Sequence, residues 1–260
     1  MKFVNLALSL SVLSVASVAF GEEDCSSKQT TAEMVQCLSA NYQEADQTLN
    51  HLWPAYKAHF AAIDEANKSS TLPAPQEKAL SLAVKAQKAW IKIRDNDCLA
   101  AAAAFKGGTL APVVQLSCLV EKTKERSNYL SDTVNPNSDS ITSASVRLDE
   151  IIAELPECQD IVSTHDQRIC YAAAHKKADA ELNEWYQIAR STIKRQPNSA
   201  ETLKLLTESQ KSWISLRDAQ CEASAQENWG GSLYFLVKSG CLSYVSLERS
   251  FEIRGTFPNK

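Results

Sequence analysis

The sequence predicts an all-α protein of two tandem, disulfide-stapled helical domains, each a small three-helix bundle built around an antiparallel helix hairpin. Three observations lead there. Cys25 and Cys37 recur as Cys158 and Cys170, and Cys98 and Cys118 recur as Cys221 and Cys241, so all eight cysteines fall into two sets with one order. The residues around them recur as well. Apolar positions between them step by three and four, and no sustained alternation of apolar and polar residues marks a strand.

The elements follow in chain order. Met1-Lys2, the apolar run Phe3 to Val18 and Ala19-Phe20-Gly21 before Glu22 read as a signal peptide over 1–21, too short for a membrane span. No cysteine follows the cleavage site directly, so no lipid anchor is expected. The first domain covers 22–131. Thr30-x-x-Glu33 is a capping box that opens its first helix. Ala45-Asp46-x-x-Leu49-Asn50 lies on that helix and returns as Ala178-Asp179-x-x-Leu182-Asn183, with Trp53 answered by Tyr186. The loop Asn67 to Pro75 is an insertion peculiar to the first copy, and Pro75 is placed near the first turn of the second helix.

That second helix carries Leu80, Ala83, Gln87, Trp90 and Ile93 on one face, matched by Leu203, Leu206, Gln210, Trp213 and Leu216. The block Gln87-Lys88-x-Trp90-Ile91-x-x-Arg94-Asp95-x-x-Cys98 returns as Gln210-Lys211-x-Trp213-Ile214-x-x-Arg217-Asp218-x-x-Cys221. Gly107-Gly108-Thr109 and Gly230-Gly231-Ser232 read as left-handed turns followed by hydroxyl N-caps. Cys118-Leu119 and Glu125-Arg126-Ser127 on the third helix return as Cys241-Leu242 and Glu248-Arg249-Ser250. A polar linker is expected over 132–147 and the second domain over 148–260. The stripe Leu148, Ile151, Ile152 and Leu155 makes a small helix packed on the second copy, and Asn198-x-x-Glu201 opens that copy's middle helix.

Four cysteines allow three pairings per copy, and the hairpin geometry favours one. Cys98 and Cys118 flank the Gly-Gly turn at one level, as do Cys221 and Cys241. That leaves Cys25 with Cys37 and Cys158 with Cys170. Zinc ligation fits poorly, because the gaps within each pair far exceed the few residues that separate zinc-ligand cysteines. No metal or other cofactor is expected.

Composition bounds the function. A chain of 260 residues with 44% hydrophobic and 22% charged side chains can bury one or two cores. A net charge of -4 without a long basic run argues against a nucleic-acid partner. The even, high cysteine count points to an oxidising compartment, the periplasm or the cell exterior. Paired carboxylates for glycan chemistry would have to be Asp46 with Asp95 or Asp179 with Asp218, yet each has a duplicated arginine available as partner. None of His51, His59, His165 and His175 recurs in both copies, and no nucleophile elbow, phosphate loop or metal-binding helix motif is present. No catalytic residue is assigned.

Two readings fit Trp90, Arg94, Asp95 and Asp46, with Trp213, Arg217, Asp218 and Asp179 as their counterparts. One is a ligand patch with arginine stacked on tryptophan. The other is an interhelix lock, Arg94 to Asp46 or Asp95 to Arg126 in one copy, and Arg217, Asp179, Asp218 and Arg249 likewise in the other. The Gly-Gly turns form tips that suit a partner's cleft, and Trp229 beside the second is either an exposed anchor or packed on the last helix.

The pattern Cys…Cys…Asp-x-x-Leu-Asn…Gln-x-x-Trp-x-x-x-Arg-Asp-x-x-Cys…Cys…Arg, met twice, resembles the N-terminal domain of the LprI-type lysozyme-inhibitor family, small exported domains of bacteria. The resemblance implies an exported, non-enzymatic binding protein of the bacterial envelope that blocks a lysozyme cleft sterically, with no stable membrane insertion after signal cleavage. An envelope assembly, stress or immunity factor that binds another protein is the alternative.

Overall fold

A computed structural model describes residues 24–136 and 142–258. The expected signal peptide and the middle of the expected linker lie outside the described residues. Copy one comprises α1 (Thr31–Lys68), α2 (Ala79–Ala103) and α3 (Ala111–Val134). The connecting helix α4 (Ser143–Glu154) leads into copy two, with α5 (Thr164–Lys194), α6 (Ser199–Ala225) and α7 (Leu233–Thr256). The stretch 132–147 is therefore helical at both ends. Among the described residues there is no strand, and no helix is long and apolar enough to cross a membrane.

Local chemistry explains the boundaries. Thr30 and Glu33 form the capping box of α1, and Ser163 with Asp166 repeats it for α5. The helix α1 runs on through Pro54 because Leu49, Tyr56, Phe60 and Ile63 continue its buried stripe. Pro75 does not open α2. The first amides of α2 are instead satisfied by a carboxylate from α1, since Asp64 accepts from Ala79 N–H at 2.7 Å and Leu80 N–H at 3.2 Å. Asn198 precedes α6 but caps it only through its carbonyl, at a left-handed φ of 60°. Gly107 and Gly230 are left-handed as expected, with φ of 86° and 75°. Neither Thr109 nor Ser232 caps the next helix with its hydroxyl; the turns close through backbone bonds such as Gly108 N–H to Phe105 O.

Each copy is stapled twice. Disulfides join Cys25–Cys37, Cys98–Cys118, Cys158–Cys170 and Cys221–Cys241, with Cα separations of 5.7, 5.4, 4.6 and 5.5 Å. Removing the Cys98–Cys118 staple by paired Cys→Ser substitution is expected to cost about 3 kcal/mol, through the freedom regained by the unfolded chain. Urea unfolding of the variant against the oxidised protein measures it.

The two copies share one core. In each copy the first and third helices pack on each other, while the middle helices α2 and α6 pack chiefly across the copies. The close approach depends on small side chains, since Ala79, Ala83, Ala86 and Ala89 are all buried on α2. Around them one apolar cluster joins Tyr56, Phe60, Trp90 and Leu130 to Leu182, Ile193, Leu206 and Trp213. The helix α4 lays Ala144 and Ile151 onto Ala174, Ala178 and Leu247, so the expected small helix does pack on copy two.

Candidate functional site

Two kinds of polar assembly use the duplicated residues, one facing solvent and one buried between the copies. At the surface of copy one, α2 projects Arg94 between two aromatic rings, 5.1 Å from the Trp90 centroid and 5.6 Å from Tyr42 on α1. Its guanidinium lies 3.8 Å from Asp46 and 2.9 Å from Asp95. Copy two repeats this: Arg217 sits 5.1 Å from the Trp213 centroid, 3.3 Å from Asp179 and 2.8 Å from Asp218. Asn50 and Asn183 donate to Asp46 and Asp179 at 2.9 and 3.0 Å, one helical turn on, which gives the recurring Asp-x-x-x-Asn spacing its role. Both candidate acid pairs are thus engaged by an arginine, Arg94 buried and Arg217 partly so. In copy two, His175 takes the place of Tyr42; burial, and then Arg217, lower its pKa, and its Nδ1 has no partner among the described residues.

The second arginines point inward. Arg126 does not meet Asp95, nor Arg249 Asp218, because both aspartates lie on exposed faces beside Arg94 and Arg217 while Arg126 and Arg249 are buried. Arg126 donates to Gln87 of its own copy and to Gln220 of the other, both at 2.8 Å, and stacks 4.6 Å from the Tyr129 centroid. Arg249 is held in the same way by Gln210 of its own copy at 3.2 Å and by Asp97 of the other. Gln220 and Asp97 occupy equivalent positions, as do Tyr129 and Glu252. One arginine is therefore bridged by neutral groups and the other by charged ones.

Around Arg249 the charges close into a network. Ser209 donates to Asp97, Lys122 lies 3.3 Å from Asp97 and 3.1 Å from Glu252, and Arg249 reaches Glu252 at 2.8 Å. Burial would raise the Asp97 carboxyl, but Arg249 and Lys122 hold it far below the ordinary range. Sequence reasoning missed Asp97, Lys122, Ser209 and Glu252, because none of them recurs in the other copy and duplication was the only signal.

Glu248 sits beside this network. Burial, reinforced by Glu252 and Glu125, pushes its carboxyl up to about 7, against Tyr244 and Arg126. The folded protein then keeps a proton that the unfolded chain, at about 4.5, releases. Stability is expected to fall by on the order of 2–3 kcal/mol as pH rises from 4.5 to 7 through this group. Thermal melts of Glu248→Gln against the parent at pH 5 and pH 8 check it: the variant should lose that part of the pH slope.

Trp229 is anchored to its own chain. Its Nε1–H donates to the Pro73 carbonyl at 2.8 Å, and its ring packs edge-on against Tyr234 at 5.3 Å. Leu72 lies against Gly230, so the insertion loop of copy one touches the tip of copy two, where Leu233 is still 47% exposed. The tip of copy one is open: nothing stands within 4 Å of a Cβ built on Gly107, and Phe105 and Leu110 are 42% and 47% exposed. No group of His, Cys, Asp and Glu among the described residues suits a metal ion.

The family model for Lysozyme inhibitor LprI matches residues 22–130 and 157–252. An uncharacterized protein of Rhizobium meliloti (strain 1021) is 33% identical over 107 residues, 38% of this chain and 77% of that protein. No solved structure matches.

Proposed function

The chain belongs to the LprI lysozyme-inhibitor family, with two copies of its domain, and from that premise we propose that it is an exported, non-enzymatic binding protein that blocks a lysozyme cleft sterically in the periplasm or outside the cell. The observation that carries the reading is the family match over both copies. Supporting it, both recurring acid pairs are tied to arginines, so neither is placed as a free acid and base for glycan hydrolysis. Four disulfides suit an oxidising compartment. A stapled body with one core loses little conformational freedom on docking, which favours a rigid occluder.

The open tip of copy one, Phe105 to Leu110, is the element we assign to the cleft, since Gly107 stands clear of its neighbours whereas the tip of copy two is tied to the insertion loop through the Leu72–Gly230 contact and the Trp229–Pro73 hydrogen bond. One lysozyme per chain follows. The test titrates the oxidised chain, residues 22–260, into lysozyme turnover on cell walls, beside a blank without lysozyme. Saturable inhibition at one enzyme per chain is expected, with no lysis in the blank. No inhibition at micromolar protein contradicts the reading, and lysis in the blank contradicts its non-enzymatic part. Phe105→Ala with Leu110→Ala should weaken inhibition at least tenfold, the scale of losing two apolar anchors, with an unchanged melting temperature.

A further inference from the structure

We propose that the outward face of α2 is a second binding site, a lysine-lined groove that takes an acidic, extended polypeptide segment of a partner protein. The groove encloses about 850 Å³ between the end of α1, the exposed side of α2 and the middle of α6. Lys78, Lys85, Lys88 and Lys92 project along it from one helix face. The acidic residues of its wall are already engaged. Asp64 caps α2, Glu65 pairs with Lys68 at 2.6 Å, and Glu77 lies 3.8 Å from Lys85. Lys78, Lys88 and Lys92 have no ion-pair partner among the described residues.

The duplication supplies an internal control. At the equivalent positions copy two carries Glu201, Glu208, Lys211 and Ser215, where Lys211 pairs with Glu208 at 2.9 Å and Glu201 pairs with Lys106. The helix therefore does not require lysines there. Like charges one turn apart destabilise a helix slightly, so folding gives no reason for Lys78, Lys88 and Lys92.

The lining selects the ligand. It has no aromatic side chain, hence no platform on which a nucleic-acid base or a sugar face would stack. Its floor offers Leu80 and Val84 for apolar side chains, with the hydroxyls of Ser81, Ser212 and Ser215 for a peptide backbone. From Lys78 to Lys92 the helix rises about 21 Å, the length of roughly six extended residues. Carboxylates on alternate residues of such a segment recur about every 6.6 Å, near the rise of about 6 Å from Lys88 to Lys92, and a carboxylate two places further on spans about 13 Å, near the rise of about 10.5 Å from Lys78 to Lys85.

The experiment measures fluorescence anisotropy of a fluorescein-labelled hexaglutamate peptide with the full oxidised chain at 50 and 200 mM salt, beside labelled oligo-dT of similar charge. The comparison variant, Lys78→Glu, Lys85→Glu and Lys92→Ser, installs residues that copy two already carries at these positions, and circular dichroism confirms its fold. Saturable peptide binding that weakens with salt, falls at least tenfold in the variant and exceeds oligo-dT binding is the expected result. Absence of saturable binding, equal binding by the folded variant, or oligo-dT binding as tightly as the peptide would overturn the proposal. None of these readouts depends on whether lysozyme is inhibited.

Discussion

Arg249→Ala is expected to destabilise the protein by about 3–5 kcal/mol, because it leaves a buried, ionised Asp97 without its principal partner. Arg249 is 1% exposed, so no water replaces the guanidinium cheaply. Lys122, 3.3 Å from Asp97, softens the loss but also has Glu252 to satisfy. A lower urea midpoint with an unchanged slope would show the effect as one of stability. Asp97→Gln is the informative companion, since it gives Arg249 the partner that Arg126 already has in Gln220. It should cost less than Arg249→Ala, because the glutamine still accepts a hydrogen bond while Glu252 retains the charge. Equal losses would mean that charge at Asp97, rather than bridging geometry, holds the copies together.

Trp213→Ala is the second large effect, at about 3–5 kcal/mol. The ring is 3% exposed within the shared apolar cluster, and it also supports Arg217 at 5.1 Å. Removing it opens a cavity against α2, so hydrogen-exchange protection should fall in α2 of copy one as well as in α6. Protection lost only within α5 to α7 would place Trp213 in a private core and contradict the shared cluster.

The duplication, the helices and the disulfides were legible in the sequence because their determinants are local or periodic. A capping box spans four residues, as at Thr30 to Glu33, and each cysteine pair closes a short loop at matched spacing. Partner choice was not legible. Arg126 and Arg249 each had an aspartate on a neighbouring helix, and only the inward rotation of α3 and α7 turns them to the glutamines and to Asp97. The pairing of α2 with α6 rests on Ala79, Ala83 and Ala86, whose small side chains permit close approach without naming a partner. Long-range caps were equally hidden. Asp64 caps a helix across a loop, and Trp229 donates to a carbonyl 156 positions away.

That the two copies are a single body underlies both the one-lysozyme stoichiometry and the reading of the second arginines as bridges. Hydrogen exchange with mass spectrometry on the oxidised parent and on Arg249→Ala tests it most directly. The most protected amides of α1 to α3 and of α5 to α7 are expected to open with one common free energy, and the substitution to lower both sets by the same amount. Two separate opening energies, with copy one unmoved by Arg249→Ala, would contradict it.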